Sequence, residues 1–250
     1  MGSQDKFMDE YLNSQSSELF SNVAVLVYAF DVTSESTEGM SQFDGCMSAL
    51  RTYSPEAKLF VLFHKSDLLS GSPSTLLRDR ESDLKRRALP TLAHCHITSI
   101  WDESLYRAWS SIISSLVPNL TLFHSELLRF VDRTRGEEAI LFEAVTLLAI
   151  GHVTKRHHPD GRRFEKISNM MKQLRTMTGK FSAGMVSLRV VLGDGTGLLM
   201  ERLCNEAILM LTVPHVTPQR MLELPAEVAG FKPVFTAVSE AQPEVDPHML

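Results

Sequence analysis

His64, Lys65, Ser66 and Asp67 follow directly on the apolar run 58–63. An aspartate at the carboxyl end of a buried strand lies on the edge where open α/β sheets bind ligands. Its two oxygens can accept from a ring N–H and an exocyclic amine together, the pair of donors that guanine presents. The aliphatic stem of Lys65 can lie across a flat base. Thr98, Ser99 and Ile100 end a further strand-like run, where backbone amides can meet the same base. Taken alone, each element reads more readily as a solvated loop after a strand.

These residues need strands to carry them. Runs 23–30 and 58–63 are continuous, β-branched and aromatic, the habit of parallel strands buried on both faces, and 94–100 is a shorter, more polar third. Helix-like segments fall between and after them, at 38–52, 76–88 and 105–116. Strand and helix alternate over the first 118 residues, which predicts βαβ crossovers and an α/β layer around a parallel sheet. Pro118-Asn119 breaks that rhythm. An amphipathic helix over 121–134, strands over 139–142 and 146–152, a helix over 164–181 and strands over 186–192 and 198–213 (with a break) then predict a small α+β domain with a mostly antiparallel sheet. Gly193-Asp194-Gly195-Thr196-Gly197 reads as a turn between antiparallel strands. The expected organisation is therefore one domain over 1–118, a second over 119–232, and a polar, Pro-bearing tail over 233–250 that should be disordered.

Composition narrows the class. The 250 residues are 44% hydrophobic and 22% charged, enough apolar material for buried cores. Thirty acidic against 25 basic residues give a net charge of −5, which disfavours a broad nucleic-acid or polybasic membrane surface. Three cysteines, Cys46, Cys95 and Cys204, are too few and scattered for a disulfide framework and suit a reducing compartment. The longest apolar stretch, 139–151, falls short of the ~20 residues a membrane helix needs. His94 and His96 share a strand face while Cys95 points away, which argues against a metal site there. The methionines at 170, 171 and 177 read as core.

Order along the chain adds what single motifs lack. Gly2-Ser3-Gln4-Asp5 precedes the first strand, His-Lys-Ser-Asp follows the second and Thr-Ser-Ile the third. This resembles the latter half of a small GTPase: the switch II glycine-glutamine segment, the N-K-x-D guanine motif and the loop after it. Gly2-Ser-Gln-Asp-Lys-Phe-Met8, Ala29-Phe-Asp-Val32, His64-Lys-Ser-Asp67, Thr98-Ser-Ile-Trp-Asp-Glu103 and Phe164-Glu-Lys-Ile-Ser-Asn169 resemble the Rag/Gtr GTPases over most of the chain, on the RagA/RagB side. That family also carries His where other GTPases carry Asn.

The resemblance implies a partial P-loop GTPase domain followed by a roadblock-like dimerisation domain. It implies GTP or GDP as ligand, recognised through His64, Lys65, Asp67, Ser99 and Ile100. Gln4 would orient the attacking water. It further implies a heterodimer with a RagC/RagD-type subunit, relaying amino-acid sufficiency to the target-of-rapamycin kinase complex. A scaffold complex would hold this cytoplasmic protein at the vacuolar or lysosomal surface, with membrane association only through partners. One departure stands out: no G-x-x-x-x-G-K-[ST] occurs, so the phosphate cradle and the Mg²⁺ hydroxyl have no counterpart. Mg²⁺ is accordingly expected only in an intact family member. The chain reads as amino-terminally truncated, opening inside switch II, with weak or no GTP binding of its own. The other reading is a non-catalytic heterodimerisation and scaffold-binding module. Loss of neighbouring strands would also leave a hydrophobic edge along 23–30.

Overall fold

The computed structural model describes residues 16–34, 38–69, 74–117, 119–156, 158, 160–179, 187–204 and 207–240. The chain forms two compact units that divide between Ala108 and Trp109. The first holds a parallel sheet in the order β1 (Val25–Asp31), β2 (Lys58–His64), β3 (Ala93–Thr98). Parallel neighbours cannot be joined by a tight turn. The crossovers are α2 (Glu38–Tyr53) and α3 (Ser74–Ala88), while α1 (Ser16–Phe20) precedes the sheet and α4 (Ser104–Leu116) follows it.

Strand β2 is central, and its residues Leu59, Phe60, Val61, Leu62 and Phe63 are all buried. Leu59, Val61 and Phe63 share a core with Phe43, Met47 and Leu50 of α2 and Leu77 and Leu84 of α3. On the other face Phe60 stacks against His94 and His96 of β3, with ring centroids 5.0 and 6.0 Å apart. Among the described residues no group of three His, Cys, Asp or Glu is placed to hold a metal ion. β1 differs from its expected burial on both faces, for none of its seven residues is fully buried. It is the sheet's edge strand, so one row of its backbone groups has no strand beside it among the described residues.

The second unit runs α5 (Leu120–Arg133), β4 (Glu138–Glu143), β5 (Ala149–Thr154), α6 (Arg163–Gly179), β6 (Ser187–Val191), β7 (Gly197–Arg202), β8 (Ala207–Val213), α7 (Pro218–Glu240). Its five strands are antiparallel throughout, in the order β5-β4-β8-β7-β6. Side-chain alternation splits β4, β7 and β8 between two cores. Ala139 and Leu141 of β4 pack with Phe123, Leu127 and Phe130 of α5 and with Leu224, Val228 and Phe231 of α7. Ile140 and Phe142 face α6, where Met171 is fully buried. Met170 and Met177, read as core from their spacing, are exposed instead. The turn at Gly193–Gly197 is present: Leu192 N donates to Thr196 O, and Gly195 takes φ +82°, which a side chain would oppose.

Two boundaries differ from expectation. The units part inside α4 rather than at Pro118-Asn119, because Ile113 and Val117 pack on the core of the second unit and Ser114 Oγ donates to Ile150 O at 3.1 Å. The stretch from Pro233, expected to be disordered, continues α7 as far as Glu240. Phe231 stacks on Phe130 and Phe235 packs at a tilt against Phe123, and this burial holds the helix despite Pro225 and Pro233 inside it. Residues 241–250 lie outside the described residues. No described helix is long and apolar enough to cross a membrane.

Candidate guanine-base site

Strand register builds this site. Asp31 pairs with His64 and His64 with Thr98, so three strands end in one polar row at the carboxyl edge of the sheet. His64 Nδ1 and the fully buried Thr98 Oγ1 lie 3.0 Å apart and share a hydrogen bond whose donor depends on the imidazole tautomer. Val32 N donates to His64 O at 3.0 Å, carrying the β1–β2 pairing one step past Asp31. Lys65 then turns the chain with φ 64° and ψ 37°, the left-handed region, into a 3₁₀ turn at Ser66–Leu68 that presents Asp67.

Asp67 is exposed, but its carboxylate is not free to swing. Ser99 Oγ donates to Oδ1 at 2.6 Å, the length of a charge-assisted O–H···O⁻ bond. Ser99 is 1% exposed and fully used: its N–H donates to Ser104 Oγ at 2.8 Å, and its Oγ accepts Trp101 N–H at 3.1 Å. Ser104 is in turn fixed by Asp102 Oδ1, which accepts Ser104 N–H at 2.8 Å. The expected outward-facing amide of Ser99 is therefore directed into the protein, and Ser99 acts through Asp67. Ile100 is 64% exposed and sits where a ligand can be met directly.

Lys65 Nζ lies 2.6 Å from Asp31 Oδ2. The Lys65 ammonium, with the hydroxyl and amide of Thr33, holds the Asp31 carboxyl down at about 2. Asp31 and Ser104 were not among the residues the sequence singles out for binding. There Asp31 is visible as the polar end of a run and as part of a family-like segment with no binding role assigned, and its place beside Lys65 follows from strand pairing. Of the sequence-derived set, His64, Lys65, Asp67, Ser99 and Ile100 gather on one edge, while Gln4 lies outside the described residues.

Chemically the arrangement is an acceptor-only carboxylate, pinned at one oxygen, beside a lysine stem and an exposed loop. That fits a flat heterocycle carrying two adjacent N–H donors, as guanine does. The sequence holds no glycine-rich lysine loop of the kind that cradles phosphates.

A parallel α/β sheet whose carboxyl edge carries His-Lys-x-Asp and Thr-Ser-Ile defines a GTPase-type nucleotide fold. A model of the Gtr1/RagA G protein conserved region matches residues 1–171, and the chain belongs to this family. Ras-related GTP-binding protein B of Rattus norvegicus is 42% identical over 191 residues, 76% of this chain and 51% of its own length. GTP-binding protein gtr1 of Schizosaccharomyces pombe is 39% identical over 186 residues, covering 73% of this chain and 60% of its own. A more distant relative, Ras-related GTP-binding protein C of Homo sapiens, is 26% identical over 141 residues, 53% of this chain and 35% of its own. The chain thus spans about half the length of the curated Ras-related GTP-binding protein B sequences it matches. Among solved structures, the gliding protein MglB of Thermus thermophilus superposes with a TM-score of 0.40 at 13% identity, covering 49% of this chain and 91% of that one. A Roadblock/LC7 domain from Streptomyces avermitilis gives 0.33 at 14%, covering 45% and 97%.

Proposed function

We propose that this chain is the base-recognising and assembly portion of a Rag-type guanine-nucleotide switch. The observation that carries the reading is the Ser99–Asp67 and His64–Thr98 pair of hydrogen bonds, which holds a carboxylate at the sheet's carboxyl edge where a guanine base could be met. In this reading GTP or GDP docks by its base on Asp67, Lys65 and Ile100, with Ser99 and His64 behind them. Gln4 orients water for hydrolysis once phosphate and Mg²⁺ sites are supplied. The α+β unit is the roadblock-like part through which a RagC/RagD-type subunit is bound as a heterodimer. The existence of a RagC relative of the same chain supports a paired arrangement. The assembly relays amino-acid sufficiency to the target-of-rapamycin kinase complex from the cytoplasmic face of the vacuole or lysosome, where a scaffold complex holds it.

A nuclear magnetic resonance titration of the 250-residue chain tests the base site. Millimolar guanosine monophosphate should shift the backbone amides of Lys65, Asp67 and Ile100, and adenosine monophosphate should not. Equal shifts with both nucleotides, or none with either, would overturn the assignment. A second reading is favoured by one sequence fact, the lack of G-x-x-x-x-G-K-[ST] in these residues: the chain acts as a heterodimerisation and scaffold-binding module without hydrolysis. GTP turnover by the purified chain would exclude it, and a tight one-to-one complex with GTP would overturn the expected weak binding.

A further inference from the structure

Lys65 is held more firmly than a loop lysine needs to be. A non-glycine residue in the left-handed region persists only where its surroundings determine it, and such residues concentrate at functional sites. Here the His64 carbonyl before it accepts Val32 N–H at 3.0 Å, its own carbonyl accepts Leu68 N–H at 3.1 Å, and its ammonium is 2.6 Å from Asp31 Oδ2. Asp31 is itself preset. Thr33 N–H and Oγ1–H both donate to Oδ1, at 2.9 and 2.6 Å, which turns Oδ2 toward the lysine.

The direction of the lysine stem follows from the register. Its backbone leaves the end of β2, and its ammonium is anchored at the end of β1, the neighbouring strand. Asp67 is tied to the opposite neighbour, β3, through Ser99. The stem and the carboxylate are thus drawn to two sides of the β2 terminus. An exposed ion pair adds little to folding, and this one has side chains 50% and 34% exposed, so stability is a poor reason for so much local order.

We infer that Asp31 is a positioning residue for guanine recognition: it anchors the Lys65 ammonium so that the lysine stem is already laid out as a platform for the base held by Asp67. The inference rests on the base-site reading above. Its physical content is pre-organisation, since a rotamer-rich side chain that is already ordered loses less entropy when the ligand arrives.

Asp31→Asn is the informative variant, because its carbonyl oxygen can still accept both Thr33 bonds while the charge on the lysine's partner is gone. Two measurements on the full chain decide the matter. Without nucleotide, ¹³C relaxation of the Lys65 ε-methylene should report a restricted side chain in the parent and a mobile one in Asp31→Asn. With guanosine monophosphate, Asp31→Asn should weaken binding about 3- to 10-fold. Lys65→Met should weaken it too, and adding Asp31→Asn to Lys65→Met should then change it less than about twofold, because the residue acts through the lysine. Unchanged relaxation, or an equal loss in the Lys65→Met background, would overturn the role of Asp31 and leave the base site standing. A parent chain that binds guanosine and adenosine monophosphates alike would instead overturn the base site, and with it the purpose given to Asp31.

Discussion

Ser99→Ala tests the geometry of the site at a buried point. The substitution deletes one hydroxyl that donates to Asp67 Oδ1 at 2.6 Å and accepts Trp101 N–H at 3.1 Å. Bonds to a charged acceptor contribute about 1.5–3 kcal/mol net. Asp67 and Trp101 are both exposed, so water takes over part of each bond, and the methyl group fills the same space. The remaining loss is about 1–1.5 kcal/mol, at or just below the bottom of that range. At about 1.4 kcal/mol per factor of ten, amide hydrogen exchange that proceeds through opening of the first unit should accelerate roughly 5- to 12-fold. The β2 amides are the probes, and the β4 and β8 amides of the second unit serve as the internal reference, expected to be unchanged. Less than a twofold change in β2, or the same acceleration in both units, would refute the claim that this hydroxyl ties the β3 loop to the turn after β2.

Other outcomes follow from the same distances. His64→Ala leaves the fully buried Thr98 hydroxyl without its imidazole partner and should cost about 1–3 kcal/mol in chemical denaturation, whereas His64→Asn, which can donate or accept, should recover most of it. In Gly197→Ala the new methyl carbon would lie 2.5 Å from Val216 Cγ1, and the overpacking should lower the second unit's stability by about 1–3 kcal/mol without altering β2 exchange. The Asp31 carboxyl is held at about 2, below its unfolded value of about 3.9. Its stabilising contribution is therefore complete above about pH 4 and fades as the pH falls toward 2, so the small stability difference between parent and Asp31→Asn should shrink from pH 5 to pH 2.

Much of this arrangement is legible in the chain because the signals are local. The buried run 58–63 and the polar residues after it announce both a strand and its functional end, and the observed β2 stops at His64. Edges and ends are harder, because they depend on what lies beside them. Residues 25–31 have the composition of an interior strand but, among the described residues, pair on one side only, and composition does not encode how many neighbours a strand has. The helix beyond Pro233 is invisible to a local reading, since two prolines argue against it and Phe231 and Phe235 must find Phe130 and Phe123 before it is favoured. Within the site, Asp67 declares itself by motif, whereas Asp31, His64 and Thr98 become neighbours only through register.

The order β5-β4-β8-β7-β6 also shapes how the second unit comes into being. Its central seam joins Glu138 to Thr212, residues about 70 positions apart, while both flanking hairpins are local. During synthesis the β4–β5 hairpin is made long before its inner neighbour leaves the ribosome, so Ala139, Ile140, Leu141 and Phe142 wait with one strand edge open. At 5–20 residues per second that interval lasts on the order of several seconds. Closure by β8 is thus a late, non-local event, and the nascent chain is most vulnerable to mispairing in the interval before it.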